Sequence, residues 1–371
     1  MKVLHTADLH IGAEQSFLGH DAQNRQYEIL TVFKNITNLC QRENVEVCLI
    51  AGDLFDSNKA GRLFAESVFR CISEASNTRF FYVAGNHDPL DASSPFVLGK
   101  IPENLTVFGL EYETVVIDEL NLRVTGRSFS HSSMDFKEMP PMPDDQRVNL
   151  LLLHSDLGAV GSVYNPIPAS FIKDCSADYL ALGHIHKRTE IQKIGKTCFA
   201  YPGCPEGQGF DETGEKGVYL GEISKSGVNL DFVPCSSRIH AVEKIDLSQV
   251  QNTDEAVKTI LELLESQYGK EYKQNLYKLV LTGNCENPEN INTAELLSVL
   301  VNLLYFVKIK NQIKQKLDLE LISKEVSLRG IFVNKMLSKI KEADGEEQKR
   351  LIEAMYLGLD AFLGEVDCDE D

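Results

Sequence analysis

The sequence predicts an α/β protein: a layered domain with mixed sheets, then a small α+β unit and a helical tail. Three observations carry this. Apolar runs of strand length alternate with stretches of helical periodicity over roughly the first hundred residues. Short β-type runs separated by turn residues then continue to about residue 235, where a fresh β-α-β-α order begins.

Residues 2–7 (Lys-Val-Leu-His-Thr-Ala) read as a buried strand ending in a polar turn, and 45–51 and 80–84 repeat the pattern. Between them Ile29, Phe33, Ile36 and Cys40, then Phe64, Val68, Cys71 and Ala75, recur at helical spacing. Strand alternating with helix implies parallel strands joined by crossover helices. Next come short strands at 105–108, 114–117 and 122–125, a fully apolar strand at 148–153, a helix-like stretch from about 168, and a strand at 179–182. Residues 190–194, 197–201, 217–223 and 228–233 read as a β-meander with glycine turns at 195 and 227. This first domain is expected to span 1–238.

A second domain is expected over 239–328. It holds a strand at 240–247, a helix at 253–265 behind an Asn252/Glu255 capping box, a strand at 276–281, and a helix at 293–307 capped by Asn292 and Glu295. The tail, 329–371, carries two amphipathic stretches, Val333/Met336/Leu337/Ile340 and Ile352/Met355/Leu359/Phe362, split by acidic residues 344–347. Its last residues, 365–371, read as a solvated acidic end.

At 371 residues, 43% hydrophobic and 25% charged, the chain is neither disordered nor membrane-embedded in composition. The most apolar stretch, 296–307, is interrupted by Ser298 and Asn302, so no membrane span is expected. Asp8 and His10 break any signal-peptide pattern at the start, and a cytoplasmic location follows as the expectation. Nine cysteines without a C-x-x-C pair read as small buried hydrophobes, with neither disulfides nor a zinc knuckle. The formal net charge is −18, with 21 basic against 31 acidic residues in 1–240 and 16 against 24 in 241–371. Neither half has the basic footprint that phosphate contact favours, so composition alone argues against a DNA-binding protein.

Five of the nine histidines lie in short motifs where predicted strands end: Asp8-Leu9-His10, then Gly52-Asp53-Leu54-Phe55-Asp56, then Gly85-Asn86-His87-Asp88, then His154, then Gly183-His184-Ile185-His186. Any one of these alone is an ordinary strand-ending turn or a hydrogen-bonded histidine. Together they matter, because the carboxyl ends of strands in an open α/β sheet form the ligand crevice and can gather distant motifs there. Carboxylates, an amide oxygen and imidazoles without thiolate suit Mn²⁺, Fe²⁺ or Zn²⁺ in a site other than a structural zinc. His5 reads as a core residue, His20 and His131 as loop residues, and His240 as the start of the second unit. Lys59, Arg62, Lys187 and Arg188 are weaker candidates to touch phosphate. The Gly-rich stretch 203–212 reads as a long loop near the site; it lacks the strand-loop-helix context of a P-loop.

The order D-x-H, G-D-x-x-D, G-N-H-D, H and G-H-x-H resembles the calcineurin-like metallophosphoesterases. The start Thr6-Ala7-Asp8-Leu9-His10-Ile11-Gly12, the run Gly52-Asp53-Leu54-Phe55-Asp56, and Tyr201-Pro202-Gly203 are similar to their DNA repair exonuclease branch, which includes the nuclease subunit of the bacterial SbcCD complex. The resemblance covers about residues 1–235. It implies a four-layer β-sandwich flanked by helices, followed by a small α+β cap domain and a partner-binding helical tail. It implies two divalent ions, Mn²⁺ foremost with Fe²⁺, Zn²⁺ or Mg²⁺ as alternatives: Asp8, His10, Asp53 and His186 on one, and Asp53, Asn86, His154 and His184 on the other. Such ions, about 3.5–4 Å apart, clamp a phosphodiester and acidify water for in-line attack. His87 is implied as general acid, with Asp88 orienting it. Asp56 stands where some members carry a second catalytic histidine, and either orients His87 or caps a helix.

The implied activity is DNA phosphodiester hydrolysis at DNA ends, with an SMC-type ATPase as partner and a homodimer as a further expectation. A phosphomonoesterase or small-molecule phosphodiesterase, and a docking subunit with a vestigial centre, are the alternative readings. Gly-Asn-His-Asp in place of Gly-Asn-His-Glu, and no Arg directly after Asp56, set the chain apart from protein Ser/Thr phosphatases. On this resemblance the charge of −18 acquires a narrower meaning: a partner holds the DNA that this subunit cuts.

Overall fold

The computed structural model describes residues 1–139, 141–159 and 161–363, and they fall into two compact units. The expected acidic end at 365–371 lies outside the described residues. Among the described residues, one unit comprises those within 1–242, 271–278 and 304–307, and the other those within 243–270, 279–303 and 308–363.

In chain order the first part of the molecule forms β1 (Lys2–Thr6), α1 (Ala22–Arg42), β2 (Val47–Ala51), α2 (Asn58–Glu74), β3 (Arg79–Val83), the short α3 (Pro95–Leu98), β4 (Leu105–Val107), β5 (Glu113–Ile117) and β6 (Leu122–Arg127). It continues with β7 (Val148–His154), α4 (Ala169–Asp174), β8 (Tyr179–Gly183), β9 (Gln192–Ile194), β10 (Thr197–Ala200), β11 (Gly217–Ser224) and β12 (Gly227–Pro234). Two six-stranded sheets result, ordered β12-β11-β1-β2-β3-β4 and β5-β6-β7-β8-β10-β9. Within each, four strands run parallel, β1 to β4 in the first and β6, β7, β8 and β10 in the second; β11 and β12 extend the first sheet antiparallel on the β1 side, leaving parallel β4 at its other edge, and antiparallel β5 and β9 close both edges of the second.

The apolar strands are explained by burial on both faces. Along β2, Val47, Leu49 and Ala51 enter a core shared with Leu150, Leu152, Tyr179 and Ala181 of the second sheet. Cys48 and Ile50 turn instead to Ile29, Phe33, Phe64 and Val68 of α1 and α2. Leu151 and Leu153 of β7 pack with Phe171 and Ile172 of α4. Period-two alternation therefore feeds three apolar layers, giving helices, sheet, sheet and helix in order. Truncating a residue of the central layer, such as Leu152→Ala, costs about 2–5 kcal/mol.

Two expectations for this part of the chain need correction. The stretch 190–233 is no continuous meander: β9 and β10 pair with each other and join the second sheet beside β8, while β11 and β12 join the first sheet beside β1. Local turn signals mark hairpins but not the sheet each hairpin joins. His20, read as a loop residue, lies in a short 3₁₀ turn, Ser16–Asp21.

The rest of the chain forms β13 (His240–Asp246), α5 (Thr253–Tyr268), β14 (Leu276–Thr282), β15 (Asn284–Cys285), α6 (Thr293–Leu300), β16 (Phe306–Asn311), β17 (Lys314–Gln315), α7 (Leu319–Ser323), α8 (Leu328–Glu342) and α9 (Gly345–Leu363). Strands β13, β14 and β16 make a three-stranded sheet. Asn252 and Asn292 cap α5 and α6 through their side chains, as their sequence positions suggest. The helix expected over 293–307 ends at Leu300, and strand β16 begins at Phe306. Helices α7, α8 and α9 share a small core of Ile322, Val333, Met355 and Leu359.

Candidate metal centre

The five motifs begin where β1, β2, β3, β7 and β8 end. The Asp8 amide donates to the Gly52 carbonyl at 3.1 Å and the His10 amide to the Asp53 carbonyl at 3.0 Å, so the first two loops run side by side. Asp8, His10, Asp53 and His184 have positive φ (53°, 47°, 49° and 102°), four of eight such non-glycine residues among those described. Each left-handed residue costs on the order of 1–3 kcal/mol and persists where surrounding structure overrules it, commonly at functional sites. A glycine at position 85 is required here: a Cβ on it would lie 2.1 Å from Asp53 Oδ1.

All seven residues expected to hold metal meet here. Around the first group, His10 Nε2 and His186 Nε2 are 3.1 Å apart, and His10 Nε2 is 3.7 Å from Asp53 Oδ2. Asp8 offers an oxygen within 4.8 Å of both histidines and accepts the His184 amide. Around the second group, Asn86 Oδ1 lies 2.9 Å from His154 Nε2 and 3.2 Å from His184 Nδ1. Asp53 Oδ2 is 3.3 Å from His154 Nε2, so one carboxylate oxygen faces both groups.

Donor chemistry tests whether a cation fits. His154 Nδ1 is 2.9 Å from the Ala51 carbonyl, which can only accept, so Nδ1 carries the proton. The Nε2 lone pair of a neutral ring would then face two more acceptors, Asn86 Oδ1 and Asp53 Oδ2. A proton or a cation at that point satisfies all three. Burial opposes charge on His154, but the Asp53 and Asp8 carboxylates outweigh it and raise its pKa to about 9. Burial likewise works against ionised Asp53, yet His154 and His10 hold it well below the usual carboxylate range. Burial and then His154 lower His184 to about 4, leaving a neutral imidazole with a lone pair to give. Oxygen and imidazole donors of this kind fit a pair of divalent ions.

The neighbouring residues are placed as follows. His87 is exposed beside the centre; its amide donates to Asp53 Oδ1 at 2.9 Å and its Nδ1 donates to the Asp56 carbonyl at 3.1 Å. The Asp56 carboxylate lies 3.5 Å from His10 Nδ1 and 4.0 Å from His87 Nδ1. It does not cap α2, whose N-cap is Ser57, accepting from the Ala60 amide. Asp88 does not reach His87: fully buried, it accepts from the Gly85 and Phe55 amides and the Tyr82 hydroxyl, tying the third loop to the second. His5 is buried, with Nδ1 against the Tyr179 hydroxyl at 2.9 Å, and burial lowers its pKa to about 3.

Arg188 stacks 4.2 Å over the Phe232 ring, Arg62 donates to the Ser93 carbonyl, and Lys59 and Lys187 are exposed. Sequence reasoning missed Glu212. This residue of the 203–212 loop places its carboxylate on His186 Nδ1.

A two-sheet α/β sandwich with an oxygen- and imidazole-donor cluster shared through one carboxylate is the architecture of a metal-dependent phosphoesterase. Residues 1–188 match the model of the calcineurin-like phosphoesterases, and the chain belongs to that family. It is 25% identical over 303 residues to the uncharacterized metallophosphoesterase YhaO of Bacillus subtilis, covering 76% of this chain and 71% of that protein. It is 24% identical over 399 residues to the DNA double-strand break repair protein Mre11 of Archaeoglobus fulgidus, covering 100% and 88%. To the SbcD component of the nuclease SbcCD of Bacillus subtilis it is 25% identical over 266 residues, covering 58% and 64%. The chain is thus a metallophosphoesterase related at low identity to DNA repair nucleases. Among the described residues, no helix is long and apolar enough to cross a membrane.

Proposed function

We propose that this protein is a Mn²⁺-dependent phosphodiesterase that cleaves DNA at its ends. The observation that carries the reading is the single Asp53 oxygen facing both donor groups, with exposed His87 held beside it. Asp8, His10, Asp53 and His186 would hold one ion, and Asp53, Asn86, His154 and His184 the other. Such ions neutralise phosphate charge and lower the pKa of a water so that it can attack phosphorus.

The chain's own groups do the rest. The Nδ1 donation to the Asp56 carbonyl fixes the His87 ring, so Nε2 is the nitrogen left to protonate the departing sugar oxygen. Asp56 acts through its carboxylate on His10, and Asp88 keeps the loop bearing Asn86 and His87 in register. An acidic chain, −18 overall, gains DNA through a partner; the relative that is a component of SbcCD supports an SMC-type ATPase in that place, with the tail at 329–371 as its docking segment. Among the described residues eight cysteines are free, which suits a cytoplasmic setting.

The test is turnover of end-labelled duplex, bis-p-nitrophenyl phosphate and p-nitrophenyl phosphate with Mn²⁺. Wild type is expected to prefer the diesters, and His87→Ala to lose about 10²–10⁴-fold in kcat with metal content intact. A strong monoester preference, or full activity in His87→Ala, would overturn the reading.

A further inference from the structure

We infer that Glu212 is the positioning residue that orients His186 toward the first ion, and that a buried ion-pair cluster fixes the loop presenting it. This rests on the two-ion reading above and adds to it a residue outside the strand-end motifs.

His186 follows β8 and is not pinned by a backbone carbonyl as His154 is. Its Nδ1 meets Glu212 Oε1, while its Nε2 faces His10 Nε2 at 3.1 Å. A carboxylate on Nδ1 keeps the proton there and turns the Nε2 lone pair toward the donor group, the usual service of an outer carboxylate to a metal-binding histidine. The other oxygen of Glu212 accepts the Gln208 amide at 2.7 Å and the Cys204 thiol at 3.5 Å. Both oxygens are thereby committed, and the carboxylate has no freedom to swing away.

The loop itself is clamped. Arg25 of α1, fully buried, pairs with Glu206 and with Glu28 (2.9 Å) and donates to the Gly207 carbonyl at 3.2 Å. The second Glu206 oxygen accepts the Ser237 amide. Arg238 reaches Glu28 at 2.9 Å and lies 3.5 Å over the Tyr305 ring. Buried ion pairs add little net stability, because desolvation offsets attraction, but losing one partner is costly, so they hold one geometry. Here that geometry sets Glu206 and Gly207, five or six residues before Glu212.

The test uses the full chain and two readouts. In the chelator-treated protein, ¹⁵N resonances of the His186 ring are expected to report a proton on Nδ1. Glu212→Ala should lose that bias, and Glu212→Gln, whose amide oxygen still accepts, should restore it. In Mn²⁺ titration calorimetry, Glu212→Ala is expected to bind one ion about 10–100-fold more weakly and the other as wild type does, with Glu212→Gln recovering part of the loss. Should the alanine variant fail to fold, Glu212→Asp, whose carboxylate falls one methylene short, is expected to weaken the same ion. An unchanged tautomer with both ions bound as tightly as in wild type overturns the inference. So does a third ion in wild type that disappears on removing Glu212, since His186, Cys204 and Glu212 would then be a cation site themselves. Wild-type protein that binds no Mn²⁺ defeats the proposed function instead, and the tautomer readout still judges Glu212 alone.

Discussion

His154 and His186, one in each donor group, are held by different means. His154 ends β7, is fully buried, and donates Nδ1 to the backbone of β2. His186 lies past the end of β8, with about a third of its side chain exposed, and depends on a carboxylate 26 residues further along. One half of the centre is thus set by sheet backbone, whose geometry follows from strand packing, and the other by a loop side chain. The sheet-built half should tolerate side-chain changes around it and respond to backbone changes; the loop-built half should do the reverse.

The largest effect is expected where the halves meet. Asp53→Asn removes the charge that both groups share and should abolish tight binding of both ions, with diester turnover falling on the order of 10³-fold. Inductively coupled plasma analysis of metal content reads this directly; loss of one ion alone would break the picture of a shared ligand. Next comes pH. The folded pKa of His154, about 9, lies above the 6.5 of an unfolded histidine. Its charge therefore stabilises the metal-free fold fully below pH 6.5, and that contribution, about 3 kcal/mol, is lost as pH rises to about 9. Calorimetric melting of chelator-treated protein should show the decline. Mn²⁺ competes with the same proton, so its affinity should rise over that range; a pH-independent affinity would contradict the role given to His154.

Gly85→Ala is expected to cost about 1–3 kcal/mol in denaturant melts, because its Cβ would meet Asp53 Oδ1 at 2.1 Å and either the backbone or the ligand must move. It should weaken both ions together, unlike Glu212→Ala. The smallest effect is Ser57→Ala, which removes the cap of α2 for about 1 kcal/mol and leaves metal affinity unchanged. A loss of metal in that variant would mean that the cap, not Asp56, sets His10.

The convergence of the seven candidate donors was legible because each sits at a strand end, where apolar run and polar turn meet and topology does the gathering. Glu212 was not legible: a glutamate in a Gly-rich loop has no periodicity, and only the three-dimensional return of residues 203–212 brings it to His186. Asp56 and Ser57 are both competent caps, so only the fold separates their roles. The end of α6 was hidden because apolar residues continue through Leu303 and Leu304, masking the turn before β16, whose alternation is short. The placement of β11 beside β1 pairs residues more than two hundred positions apart, beyond any local signal.

The most direct measurement is anomalous diffraction at the manganese edge from crystals of the full chain grown with Mn²⁺. Two peaks are expected, one among Asp8, His10 and His186 and one among Asn86, His154 and His184, with Asp53 reaching both. A single peak, or one centred on Cys204 and Glu212 instead, would contradict a two-ion centre bridged by Asp53.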